Sequence, residues 1–127
     1  MMLSDDDKLA VQRAYADASR RGDVDAIAAL TEPDAVVWHN HDDETITAEQ
    51  SRKTVRWLHR TMPDVAWQDV AVLPTPNGFV WQATMTGTGP GGPLRVHTCV
   101  VATLSGAGKV ARMEEYLDSA ALRPLTR

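Results

Sequence analysis

The eight residues from Val36 to Asp43, Val-Val-Trp-His-Asn-His-Asp-Asp, constrain this chain more than any other stretch. Two β-branched residues and a tryptophan read as a buried strand, and two imidazoles and two carboxylates follow at once. Side chains alternate along a strand, so Val37, His39 and His41 share one face while Trp38 and Asn40 take the other. A strand that enters a core apolar and leaves it ionisable suits the wall of a pocket. Composition alone leaves a second reading open, in which the strand simply frays into water.

The flanking patterns supply the rest of the architecture. Ser4 and Asp7 form a capping box, and Val11, Ala14, Tyr15 and Ala18 recur at helical spacing. Arg20 and Arg21 suit the last turn of that helix, and Gly22 its left-handed end. Asp23 caps a short second helix carrying Val24, Ile27 and Leu30, stopped near Pro33, with the strand starting at Ala35. Thr47 and Gln50 make another capping box, and Val55, Leu58 and Met62 mark the buried side of a third helix closed by Pro63. Strands follow at 65–73, 79–88, 94–104 and 109–118. A turn containing Asn77-Gly78 joins the first two, a longer Gly- and Pro-rich loop at 87–93 the next, and a turn at 105–108 the last. Residues beyond Ser119 are expected to be poorly ordered or packed on a partner. Helices first and a meander of antiparallel strands afterwards predict one α+β domain over 1–127. The helices can cover one sheet face only. The other is expected to be covered by a second subunit, with Trp67, Trp81 or their strand neighbours contributing to a homodimer.

Composition narrows the function classes. A net charge of −4 with scattered basic residues argues against a phosphate-tracking surface, so no nucleic-acid partner is expected. Cys99 is the only cysteine, which excludes an intramolecular disulfide and a Cys-based zinc site, and it reads as a small buried hydrophobe. No signal-peptide pattern and no apolar run of membrane-spanning length is seen, so a cytoplasmic protein without membrane association is expected.

Two segments carry a family resemblance: 15–30, Tyr-Ala-Asp-Ala-Ser-Arg-Arg-Gly-Asp-Val-Asp-Ala-Ile-Ala-Ala-Leu, leading into Ala35-Val36-Val37, and 108–116, Gly-Lys-Val-Ala-Arg-Met-Glu-Glu-Tyr. With the order of elements, they resemble the nuclear transport factor 2-like superfamily, which includes ketosteroid isomerases and SnoaL-like polyketide cyclases. The resemblance implies a curved antiparallel sheet wrapped by the three helices into a cone, with the site inside. It fixes no single reaction, because members include isomerases, cyclases, dehydratases, epoxide hydrolases and non-enzymatic binding domains.

Carried over residue by residue, the resemblance places Tyr15, seven residues before Gly22, at the isomerases' oxyanion-binding tyrosine. Their aspartate base lies seventeen residues after that glycine, where this chain has His39, and Val100 takes the place of their second oxyanion donor. Glu115, seven residues after Gly108, matches the cyclases' last-strand carboxylate. Steroid isomerisation is therefore not expected. The epoxide-hydrolase branch uses an Asp-Arg-Asp set that falls on no cavity-facing positions here.

The resemblance thus implies Glu115, His39 and Tyr15 as catalytic candidates, with Val37, His41, Trp57, Val100, Met113 and Leu117 against the ligand. Trp67, Trp81, Met62 and Met85 would add apolar lining. His97 alternates with Cys99 and points away from the cavity in a regular strand, which suits a structural role. No metal and no cofactor is expected, since nothing forces a third ligand beside His39 and His41. The expected function is a small cofactor-independent isomerase, cyclase or dehydratase acting by proton transfer on an apolar metabolite that bears a carbonyl or hydroxyl. The alternative is a binding or interaction domain in which His39 and Glu115 only satisfy each other.

Overall fold

The computed structural model describes residues 2–127. Helix α1 (Asp5–Arg21) begins at the predicted capping box, in which the Ser4 hydroxyl accepts from the Asp7 N–H and the Asp7 carboxylate from the Ser4 N–H, both at 3.0 Å. It ends at Gly22, whose φ of 65° is strained for a residue with a Cβ. Val11, Tyr15 and Ala18 of the predicted stripe face the core, Ala14 is exposed, and Gln12, Ala16 and Ser19 widen the buried face. Lys8 helps to set this face, because its ammonium donates to the Thr75 and Pro76 carbonyls at 2.8 and 3.4 Å.

Helix α2 (Val24–Ala29) is capped by Asp23 as expected. Strand β1 (Thr31–His39) starts before the predicted Ala35 and runs through Pro33. Its pairing shifts register between Thr31 and Val36, so the proline's missing N–H removes no ladder bond. It stops at His39, short of the predicted Asp43, and residues 40–43 form a turn with Asp43 at φ 55°. Strand β2 (Glu44–Thr47) was not anticipated, being too short and polar to show an alternating pattern. Helix α3 (Ala48–Thr61) carries the predicted Thr47–Gln50 capping box.

Strands β3 (Ala66–Thr75), β4 (Gly78–Gly89), β5 (Gly92–Leu104) and β6 (Val110–Leu117) follow, then a 3-10 turn (Ser119–Leu125). The stretch predicted as a long loop at 87–93 is a tight hairpin instead, paired as far as Gly89 and Gly92. Gly92 at φ 115° makes that reversal accessible. The segment after Ser119 is likewise ordered, and it packs on β4 and β5 of its own chain.

The six strands form one curved, unclosed sheet in the order β2-β1-β6-β5-β4-β3, antiparallel except for the β1–β6 pair. With the helices on its concave side, this is the α+β cone expected. Register fixes which side chains share a row inside it. Phe79, Ala102, Met113 and Val37 make one inward row, and Trp81, Val100, Glu115 and His39 the next. Ala83, Thr98 and Leu117 form a third row, and Met85 and Val96 a fourth. The first row closes the narrow end. Phe79 is fully buried there, a burial that stabilises by about 1.5–3 kcal/mol.

Trp67 and Trp81 are on this inner side, not on the outer face assigned to them in the dimer expectation. Opposite Met85 and Val100 they must point inward, and the Trp81 indole N–H finds its partner in Asp69 Oδ1 at 2.8 Å. The outer face carries Leu73 and Tyr116, 60% and 43% exposed. His97 lies there too, with Nδ1 3.0 Å from the Thr84 hydroxyl, and Cys99 is half-buried on the same face, less enclosed than expected.

Candidate active site

A cavity of about 430 Å³ opens above the dry first row, between the sheet and α3. The three catalytic candidates Glu115, His39 and Tyr15 lie on its wall, as do Val37, His41, Trp57, Val100, Met113 and Leu117, and of the further apolar lining expected, Trp67, Trp81 and Met85. Its lining contains one carboxylate, two histidines and no lysine or arginine.

Glu115 reaches the interior because Met113, Glu115 and Leu117 are alternate residues of β6. His39 reaches it as the last residue of β1, in parallel register beside Glu115. Asn40 holds that register past the strand end. Its backbone N–H donates to the Glu115 carbonyl at 3.0 Å, its side-chain amide donates to the Leu117 carbonyl at 3.2 Å, and its side-chain oxygen accepts the Leu117 N–H at 2.9 Å. On the outer side, the Trp38 indole donates to Asp43 at 2.8 Å and packs edge-on to Tyr116, which pins the turn after His39. The turn brings His41 back over the rim, its ring centroid 5.4 Å from that of His39.

The His39 Nε2 to Glu115 Oε1 distance is 3.5 Å, at the outer limit of a hydrogen bond. Attraction at that distance favours the ion pair, but burial wins. Desolvation pushes the Glu115 carboxyl up to about 7. The His39 imidazole is lowered, first by burial and then by the charge of His41, against an opposing pull from Asp42. Near neutrality the pair therefore holds a neutral imidazole beside a carboxyl poised between its two forms. Tyr15 is pushed up to about 12, by burial and then by the Glu115 charge, with Arg52 opposing. Its hydroxyl keeps its proton and stays a donor. The Tyr15 ring meets Trp81 edge-on at 6.5 Å.

His39, His41 and Asp42 place three donor atoms within 4.8 Å of one another, the one such group among the described residues that could hold a metal ion. Asp42 supplies the third donor, although its Oδ1 already accepts the Glu44 N–H at 3.0 Å.

Several wall residues were missed. Thr98 could have been found, since it alternates with Val100 on β5, as could Ser51 and Thr54 one turn apart on α3. Leu122 and Leu125 belong to the segment expected to be poorly ordered or packed on a partner, and only their i, i+3 spacing hinted at a turn buried on its own chain. Met62 is fully buried behind the cavity, not on its wall.

The comparisons agree with this fold. A SnoaL-like polyketide cyclase candidate from Jannaschia sp. CCS1 superposes with a TM-score of 0.80 at 16% identity, covering 97% of this chain and 94% of that one. A ketosteroid isomerase-like protein from Catenulispora acidiphila DSM 44928, in complex with trimethylamine, gives 0.76 at 17% identity and 90% of each chain. An LEH-like epoxide hydrolase from M. tuberculosis gives 0.76 at 15% identity, covering 95% and 93%. At these identities the likeness shows the fold alone. No curated protein matches the sequence. A family model for the SnoaL-like domain matches residues 11–113, and by that match the chain belongs to the SnoaL-like family of the nuclear transport factor 2-like superfamily.

Proposed function

We propose that this protein is a cofactor-independent enzyme that moves a proton on an apolar metabolite bearing a carbonyl or hydroxyl group. One observation carries the reading: Glu115, the only carboxylate on the cavity wall, is held near pKa 7 beside a neutral His39, with the protonated Tyr15 on the same wall. A base whose pKa lies near the working pH both takes and returns a proton efficiently.

In this mechanism the Glu115 carboxylate takes a proton from the carbon next to the substrate carbonyl, and the electron pair moves onto oxygen. Tyr15 donates a hydrogen bond to that oxyanion. Glu115 then returns the proton to another carbon, which is isomerisation, or the enolate carbon attacks a second carbonyl and Glu115 gives its proton to the alkoxide that forms there, which is aldol cyclisation. Expulsion of a β-hydroxyl that carries the proton away as water is dehydration. His39 keeps its imidazole neutral and can relay the proton at Nε2. The apolar wall and the absence of any lysine or arginine on it suit an uncharged substrate. The neighbours named for cyclase and epoxide-hydrolase chemistry, and the one holding a small amine, support an enzyme-type, small-molecule-binding fold. Epoxide hydrolysis through an Asp-Arg-Asp set finds no such residues on this wall. The working form proposed is a cytoplasmic homodimer joined at the outer sheet face, where Leu73 and Tyr116 are exposed.

Native mass spectrometry of freshly purified protein, to identify a retained ligand, followed by turnover assays on that ligand and its carbonyl analogues, tests the proposal. Turnover that falls in Glu115→Gln while the thermal melt holds supports it. A retained ligand that is bound equally by both proteins and never converted favours the non-catalytic binding domain.

A further inference from the structure

The glycine-rich stretch 87–93 and the turn after β6 are built for each other, and no step of the proton chemistry uses either. The Gly91 N–H donates to the Pro124 carbonyl at 3.0 Å. A Cβ on Gly89 would sit 2.1 Å from the Pro124 carbonyl oxygen, and one on Gly91 2.3 Å from that of Thr126. Both glycines are therefore required for the backbone of the turn to lie flat on the β4–β5 hairpin. Docked in this way, the turn packs Ala121, Leu122 and Leu125 against Met62, Met85, Leu94 and Val96. Leu122 and Leu125 also face the cavity.

The row order of the sheet gives this contact its meaning. The polar row holds Glu115 and His39, and the cavity wall continues through Leu117 to Met85, where the turn sits. A ligand with its oxygen at Glu115 meets Val37 and Met113 on one side, where the buried Phe79 and Ala102 close the end, and has room for an apolar tail on the other. We infer that the 3-10 turn Ser119–Leu125, seated on the Gly89–Gly92 hairpin, is a length gauge in which Leu122 and Leu125 set how long an apolar substrate tail can be. The inference rests on the reading of this cavity as the ligand site, and it adds the residues that decide specificity.

A homologous series of 1-alkanols from hexanol to dodecanol, with binding read by the fluorescence of the cavity tryptophans, tests it. Wild-type affinity should rise about fourfold per added carbon and then fall at a cut-off length. Leu122→Ala and Leu125→Ala should move the cut-off to longer alkanols, and Leu125→Phe should move it to shorter ones. Gly91→Ala should abolish it by lifting the turn, and Leu73→Ala, on the outer face, should leave it in place. The readout is binding and not turnover, so the gauge and the proposed base fail separately. If an alanine variant does not fold, the opposite shift in Leu125→Phe still decides the matter. An unchanged cut-off in all folded turn variants, or a wild-type series with no cut-off or no binding, would overturn the inference.

Discussion

Glu115 concentrates the energetic conflict in this molecule. Its folded pKa, about 7, stands above the ordinary value of 4.5, so the folded state binds its proton more tightly than the unfolded chain does. The favourable contribution is complete below pH 4.5 and is lost as pH rises through about 7. Glu115→Gln should therefore raise stability above pH 7 by roughly 1–3 kcal/mol and flatten the dependence between pH 4.5 and 7. Melting curves across that window check it. His39 has the opposite sign: with its folded pKa lowered, its contribution is present above the unfolded value of 6.5 and is lost as pH falls below it. On an identified substrate, Glu115→Gln should cut turnover by about 10²–10⁴-fold. Tyr15→Phe should lower kcat more than it raises KM, because its hydrogen bond strengthens only as the oxyanion forms. Steady-state kinetics of both variants separate these effects from simple loss of fold.

At the scale of elements, two short connections hold the site in register. Asn40 continues the β1–β6 ladder with its side chain, so Asn40→Ala removes two hydrogen bonds beside the His39–Glu115 contact. It should cost about 1–2 kcal/mol in a thermal melt, and it should broaden the pH dependence of any turnover by loosening that contact. At the narrow end, a Cβ on Gly78 would lie 2.0 Å from the Ala102 carbonyl oxygen, a clash with backbone that cannot swing aside. Gly78→Ala should destabilise by about 1–3 kcal/mol without altering the wall residues. Asp69 accepts from both Arg20 at 2.7 Å and Trp81 at 2.8 Å, beside the register shift in β3. It ties α1 to the sheet and holds the ring on which Tyr15 rests.

For the whole molecule, the outer sheet face is where the proposed dimer would form. Leu73 and Tyr116 are exposed on it beside His97 and Cys99, and no helix crosses it. Sedimentation at micromolar concentration should give a dimer, and Leu73→Lys should shift it towards monomer. A wild-type monomer would remove the proposed interface. No helix of the described residues is long and apolar enough to cross a membrane.

By itself the sequence determined what depends on neighbours along the chain. The capping boxes at Ser4 and Thr47, the left-handed Gly22, the alternation that turns His39 and Glu115 inward and the order of the three helices and the five longer strands were legible, because each is fixed within a few residues. Tertiary structure decided what depends on partners far away in sequence. The β1–β6 parallel pairing sets Glu115 beside His39, and neither strand alone encodes that distance. Which face Trp67 and Trp81 present followed from the β3–β4 register and from the acceptor that Asp69 offers, not from their own hydrophobicity. The turn after Ser119 looked unstructured because a single turn is unstable alone, and it becomes ordered only where Gly89 and Gly91 leave room for its backbone. Balancing desolvation against attraction at Glu115 likewise required the walls of the cavity, since the same residue on an open strand would ionise like any other glutamate.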